Sequence, residues 1–202
     1  MSTRTSPAFG TRRRTELFDA LIALFLDEGF AHLTLDDIAG RLRCSKSTLY
    51  TLAGSKEQLV RAATVQFFRQ ATDEVEQLVA GVDGARARIT AYLSAVGTVL
   101  DAASDQFMVD LDAFAPARSV YEKNTQIAAR RVHEMIADGV ESGEFRDVHA
   151  SFAADLASTM MVRIQQRRVR GVQLDLPLAP GDLVEAVDVR LALDPVVTNL
   201  GE

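Results

Sequence analysis

Tryptophan is absent from this 202-residue chain, tyrosine occurs three times and cysteine once. One cysteine excludes an internal disulfide and a cysteine metal cluster. No apolar run reaches the ~20 residues that a membrane-spanning helix needs, because Asp27 and Glu28 close the longest one. The first residues, MSTRTSPAFGTRRR, have no apolar core of a signal peptide. No Gly-rich phosphate loop is present. His32, His133 and His149 are scattered, with neither Ser/His/Asp nor metal-ligand spacing around them. These absences lead us to expect no catalytic residue, no cofactor, no metal and no membrane partner. A cytoplasmic, non-enzymatic protein is the class that remains.

Strand signals are also missing. No alternating run of useful length occurs, so the expected fold is all-α, with about nine helices. Hydrophobic residues make up 48% of the chain, enough for a real core. Net charge is −6, but it is unevenly spread. Met1 to Val60 carries 8 basic and 7 acidic residues, and the remainder carries 14 and 21. Positive charge gathers at Arg12, Arg13, Arg14, Arg41, Arg43, Lys46 and Lys56. A local basic face decides whether phosphates are contacted, whatever the total.

The stretch LDDIAGRLRCSKSTLYTLAGSK, Leu35 to Lys56, reads as helix, tight turn and short helix. Thr34 stands at an N-cap position with Asp37 three residues on, an acidic form of the capping box. Leu35, Ile38, Ala39 and Leu42 share one face. Arg43-Cys44-Ser45 breaks the run, and Ser45 is a second N-cap candidate. Leu49 and Leu52 then face Ile38 and Leu42. Lys46 and Tyr50 share an outward face, with Ser47 and Thr51 beside it. A short polar surface of this kind suits a helix that enters a DNA groove. Any small helical hairpin has two caps and an apolar seam, so the pattern alone favours DNA only modestly.

The flanking residues make the likeness specific. Arg14, Phe25, Gly29-Phe30, Thr34, Ile38-Ala39, Ser45, Thr48-Leu49-Tyr50 and Ser55-Lys56-Glu57-Gln58-Leu59 keep an order and spacing that resembles the TetR family of transcriptional regulators. The resemblance covers the first quarter to third of the chain. It implies a disordered tail over residues 1–10 and a three-helix helix-turn-helix DNA-binding domain over 11–58. A helical effector-binding and dimerisation domain would follow over 59–202. It also implies that Arg14, Thr34, Arg43, Ser45, Lys46, Ser47, Thr48, Tyr50, Thr51 and Lys56 face double-stranded DNA, as a homodimer on a palindromic operator in the nucleoid. Three positions depart from the family pattern. Arg43 stands where Gly is usual, at about 1–2 kcal/mol if the backbone there is left-handed. Cys44 replaces a branched aliphatic and is read as a small hydrophobe rather than a redox sensor. Thr51-Leu52-Ala53 replaces further aromatics.

Apolar periodicity places further helices at about Arg13–Glu28, Lys56–Val79, Ala85–Ala103, Asp105–Ala115 and Pro116–Gly143, then Asp147–Arg170 and Asp182–Leu193. Val60, Ala63, Phe67, Ala71, Val75 and Leu78 mark one inner stripe, and Ile127 to Val140 another. For a small-molecule effector, Tyr92, Phe107, Met108, Leu111, Phe114, Tyr121, Asn124 and Met161 mix apolar bulk with polar tips, as pocket linings do. The same residues read equally well as plain core. Asp110 is a candidate for selecting a charged ligand, though an exposed or paired role fits it better. Phe152, Leu156, Met160, Leu183, Val187 and Leu191 are the expected dimer interface. The function these features imply is a regulator, most simply a repressor released by its ligand. An activator, or an interaction module that no longer binds DNA, are the alternatives.

Overall fold

The computed structural model describes residues 7–145 and Thr159, with side chains from residue 12 onward. Seven α-helices and no strand occur among the described residues. They are α1 (Pro7–Glu28), α2 (Leu35–Arg41), α3 (Lys46–Tyr50), α4 (Lys56–Val79), α5 (Ala85–Leu100), α6 (Asp105–Ala113) and α7 (Ala115–Glu141). The all-α expectation holds here. The expected helices after Asp147 lie outside the described residues.

Two compact units divide the chain. The first holds Met1–Gln70 and Asp101–Glu122, and the second Ala71–Leu100 and Lys123–Glu202. Two of the divisions fall inside α4 and α7, and the third follows the end of α5.

In the first unit, α1 begins at Pro7 rather than near Arg13, since proline's fixed φ suits a first helical turn. Leu21, Ile22 and Phe25 bury its inner stripe. Gly29 ends it with φ +79°, its N–H bonded to the Phe25 carbonyl at 2.9 Å. Phe30 then turns inward and packs edge-on against Phe107 and Phe114 at centroid distances of 6.0 and 5.9 Å. Phe67 meets Phe107 in the same way at 5.9 Å. Edge-to-face geometry sets the positive ring edge against the negative face. This aromatic cluster seats α6 on the body of its unit, with α1 alongside.

In the second unit, Val75, Val79, Ile89, Tyr92, Leu93, Val132, Met135, Ile136 and Phe145 form the core. The stripe of α4 continues to Val79, and Leu78 is 56% exposed, contrary to expectation. Steps of four from Phe67 through Ala71 and Val75 lead to Val79, so Leu78 falls a hundred degrees off the buried line. Ile127, expected on the apolar side of α7, is likewise 46% exposed. Arg131 of α7 bridges to Glu76 with Nε and Nη2 at 2.9 and 3.1 Å. Glu144 turns back after α7 and accepts the N–H groups of Ala85 and Arg86 at 2.6 and 2.9 Å, capping α5.

Candidate nucleic-acid interface

Three side-chain caps build the helix-turn-helix. Thr34 Oγ1 accepts the Asp37 N–H at 3.2 Å, while Asp37 Oδ2 accepts the Thr34 N–H at 2.8 Å. The reciprocal capping box read from the sequence is therefore formed. Those bonds from Thr34 hold the Asp37 carboxyl below its ordinary range. Ser45 Oγ accepts the Thr48 N–H at 3.1 Å and starts α3. Ser55 Oγ accepts the Gln58 N–H at 3.1 Å at the start of α4, and Gln58 Oε1 takes the Gly54 N–H at 3.0 Å.

Between α2 and α3 the chain must reverse in three residues. Arg43 takes a left-handed conformation, φ +50°, alone among the described non-glycine residues. Here a departure in sequence becomes a strain in structure. Cys44 is partly buried behind it, and burial pushes its thiol above the ordinary range. Ile38 and Leu49 are fully buried and lock α3 against α2, while Leu42 and Leu52 are half-buried.

What α3 shows to solvent is a small polar surface. Tyr50 is 52% exposed. Lys46, Ser47 and Thr51 are exposed, and Thr48 is half-buried. The hydroxyls are already linked: Ser45 Oγ lies 2.7 Å from Ser47 Oγ and 2.8 Å from Thr48 Oγ1. Thr51 Oγ1 donates to the Thr48 carbonyl at 2.6 Å. Arg14 is exposed on α1. Lys56, at the first position of α4, donates to the Ala31 carbonyl at 2.9 Å and keeps two ammonium hydrogens for other acceptors.

Sequence reasoning missed how the cations are partnered. Lys46 Nζ lies 2.6 Å from Asp36 Oδ2, and this hydrogen bond raises the ammonium above its ordinary range. Arg41 pairs with Glu28, which His32 also approaches at 3.7 Å. Reasoning from the chain also left Asp110 unresolved. It is buried, and its carboxylate accepts the N–H groups of Phe30 and Ala31. One signal for it was legible: Phe107, Asp110, Leu111 and Phe114 share a helical face, so an acid there needs buried partners.

The expected pocket residues divide between the units. Phe107, Met108, Leu111, Phe114 and Tyr121 belong to the first, where Phe107, Leu111 and Tyr121 are buried and Tyr121 packs on Phe68 at 5.8 Å. Tyr92 and Asn124 belong to the second. Burial, then Glu76, push the Tyr92 phenol up to about 12 against the opposing pull of Arg131, and Asn124 Oδ1 accepts from Thr72 at 3.4 Å. Met161 and the whole expected dimer interface, Phe152 to Leu191, lie outside the described residues.

Residues 17–63 match the sequence profile of bacterial regulatory proteins, tetR family. The N-terminal domain is of the TetR family. Over 66 residues this chain is 38% identical to the uncharacterized HTH-type transcriptional regulator Rv1556 of Mycobacterium tuberculosis. That match spans 33% of this chain and 33% of the relative, about a third of either length. Solved structures extend the likeness of fold along the rest of the chain. A transcriptional regulator from Saccharomonospora viridis, solved in complex with choline, aligns over 90% of this chain and 96% of its own, with TM-score 0.72 and 16% identity. A TetR/AcrR-family regulator from Thermobifida fusca aligns over 89% and 96%, with TM-score 0.60 and 24% identity. Among the described residues no helix is long and apolar enough to cross a membrane.

Proposed function

We propose that this TetR-type chain is a homodimeric, sequence-specific DNA-binding repressor that a small molecule releases from a palindromic operator. The observation that carries the reading is α3 itself, a short polar helix capped by Ser45 and backed by Leu49, inside the segment that matches the family. Lys46, Ser47, Thr48, Tyr50 and Thr51 on α3 are the groups for base edges and phosphates, with Thr34, Arg43 and Ser45 on the approach to it. Arg14 serves the N-terminal flank. Lys56 adds a point charge at the positive end of the 24-residue α4, where phosphate oxygens are favoured.

One helix-turn-helix makes few contacts, so tight binding calls for two, about 34–36 Å apart or a multiple of that. The effector acts by population shift, favouring a conformation whose paired α3 helices are mis-spaced. The choline bound to the Saccharomonospora viridis regulator supports a small-molecule effector as a class, with no inference about its identity here. The protein acts in the cytoplasm, on the nucleoid, without catalysing a reaction.

Selection from a pool of random duplexes, followed by sedimentation of the complex, tests this. A recovered two-fold motif bound by two chains is the expected result. A monomer that retains no duplex at low salt overturns it.

A further inference from the structure

Lys46 is the first residue of α3, on the surface assigned to DNA, yet its ammonium is occupied. It reaches back to Asp36 of α2 at 2.6 Å, with 49% of the lysine side chain and 73% of the aspartate side chain still exposed. Among the described residues Asp36 has no further hydrogen-bond or ion-pair partner, whereas its neighbour Asp37 is committed to the capping box. Asp36 makes no hydrogen bond in the α2 cap, which Thr34 and Asp37 complete, and its local part is that of a first-turn acid at the positive end of α2.

We propose that Asp36 is an internal counter-charge that competes with a DNA phosphate for Lys46 and so sets the affinity of the domain below what its cations allow. The proposal rests on the DNA-binding reading above and deepens it. A phosphate oxygen must either displace the Asp36 carboxylate from Lys46 or share the ammonium with it, and in both cases the charge of Asp36 stands close to the polyanion. Both effects oppose binding equally on every sequence, because the exchange involves phosphate and no base edge. Such a device lowers retention on non-operator DNA while leaving base readout by the rest of α3 untouched.

The pair is surface-exposed, so its strength is modest and salt-sensitive. Converted to binding, it corresponds to about two- to fivefold in Kd at low salt. The test uses the full chain and a duplex selected from a random pool by the wild-type protein. Asp36→Asn keeps size and polarity at an exposed position and removes the charge. It is expected to bind about two- to fivefold tighter at low salt, with the gain shrinking as salt rises. In a Lys46→Ala background, Asp36→Asn is expected to gain clearly less, because only its repulsion of the polyanion remains to be relieved. Asp36→Ala serves as a second variant, and matching thermal melts check folding.

Equal or weaker binding by Asp36→Asn overturns the proposal. So does an undiminished gain in the Lys46→Ala background, which shows plain repulsion between Asp36 and DNA instead of competition for Lys46. If wild type binds its duplex and only these differences fail, the DNA-binding reading stands and the counter-charge falls. If no chain retains any duplex, both fall together.

Discussion

Asp110 accepts the backbone N–H of Phe30 at 2.6 Å from 80 residues away in sequence. It also accepts the Ala31 N–H at 2.7 Å and the Gln106 side-chain amide at 2.7 Å. The Ala31 carbonyl in turn receives Lys56. One residue at the α1–α2 junction, Ala31, is thus gripped from α6 through its N–H and from α4 through its carbonyl. Gly29 is required there twice over, for its positive φ and because a Cβ would lie 2.6 Å from Asp110 Oδ2.

Asp110→Ala leaves two backbone donors without a partner, one of them buried. Charge-assisted bonds of this kind contribute about 1.5–3 kcal/mol, and an orphaned donor costs about 1–3 kcal/mol. We expect a loss of about 3 kcal/mol in urea unfolding, with Asp110→Asn in between. A change below about 0.5 kcal/mol, within ordinary surface substitutions, means that the turn holds without the carboxylate.

Arg43→Gly relieves a left-handed arginine. Allowing for glycine's larger unfolded-state entropy, the gain is about 0.5–1 kcal/mol, or roughly 2–4 °C in Tm at the upper end. The same change removes a proposed phosphate contact, so DNA affinity should fall while stability rises. A drop in both, read by thermal melting and gel-shift titration, contradicts the strain argument.

Two helical glycines should answer the same substitution with opposite signs. Around Gly40 in α2 there is open space, so Gly40→Ala gains about 0.5–1 kcal/mol from helix propensity. At Gly139 in α7 a Cβ would overlap the Phe145 ring and lie 2.7 Å from the Ala85 Cβ. Gly139→Ala therefore loses about 1–3 kcal/mol by overpacking, partly recovered by Phe145→Leu. Denaturant midpoints of the three variants decide it; equal signs refute the packing account.

The backbone bonds from Arg86 and Ala85 hold the Glu144 carboxyl below its ordinary range. A depressed carboxylate stabilises above its unfolded pKa, and that contribution disappears as pH falls through the folded value. Glu144→Gln should make the loss of stability below roughly pH 4.3 shallower and leave the slope near neutrality unchanged. An acid limb identical to wild type in pH-dependent melts shows that the cap carries no charge effect.

Tyr50→Phe and Lys56→Ala should each weaken operator binding while sedimentation shows the oligomer unchanged. Two lost phosphate contacts, one per subunit, flatten the salt slope by about 1.8 in the lysine variant. Thr48→Ala should alter base preference more than general affinity, tested by repeating the selection from random duplexes. An unaltered motif argues that Thr48 serves only its bond to Ser45.

Much of what the chain does within a few residues of itself was legible in its sequence, although α1 starts at Pro7 and not near Arg13. Thr34, Ser45 and Ser55 cap because a hydroxyl needs to reach only three residues ahead, and Gly29 ends α1 for an equally local reason. The apolar period gave seven helices their places, slipping at Leu78 because a stripe one residue out of phase looks much the same in a list of letters. Tertiary structure alone decided the rest. Whether Asp110 faced solvent, a ligand or the Phe30 amide depended on where α6 settles against α1. Whether Lys46 was free depended on the angle between α2 and α3, which brings Asp36 within hydrogen-bond reach. Charges and buried polar groups act over ångströms in space, and sequence order constrains such distances only for near neighbours.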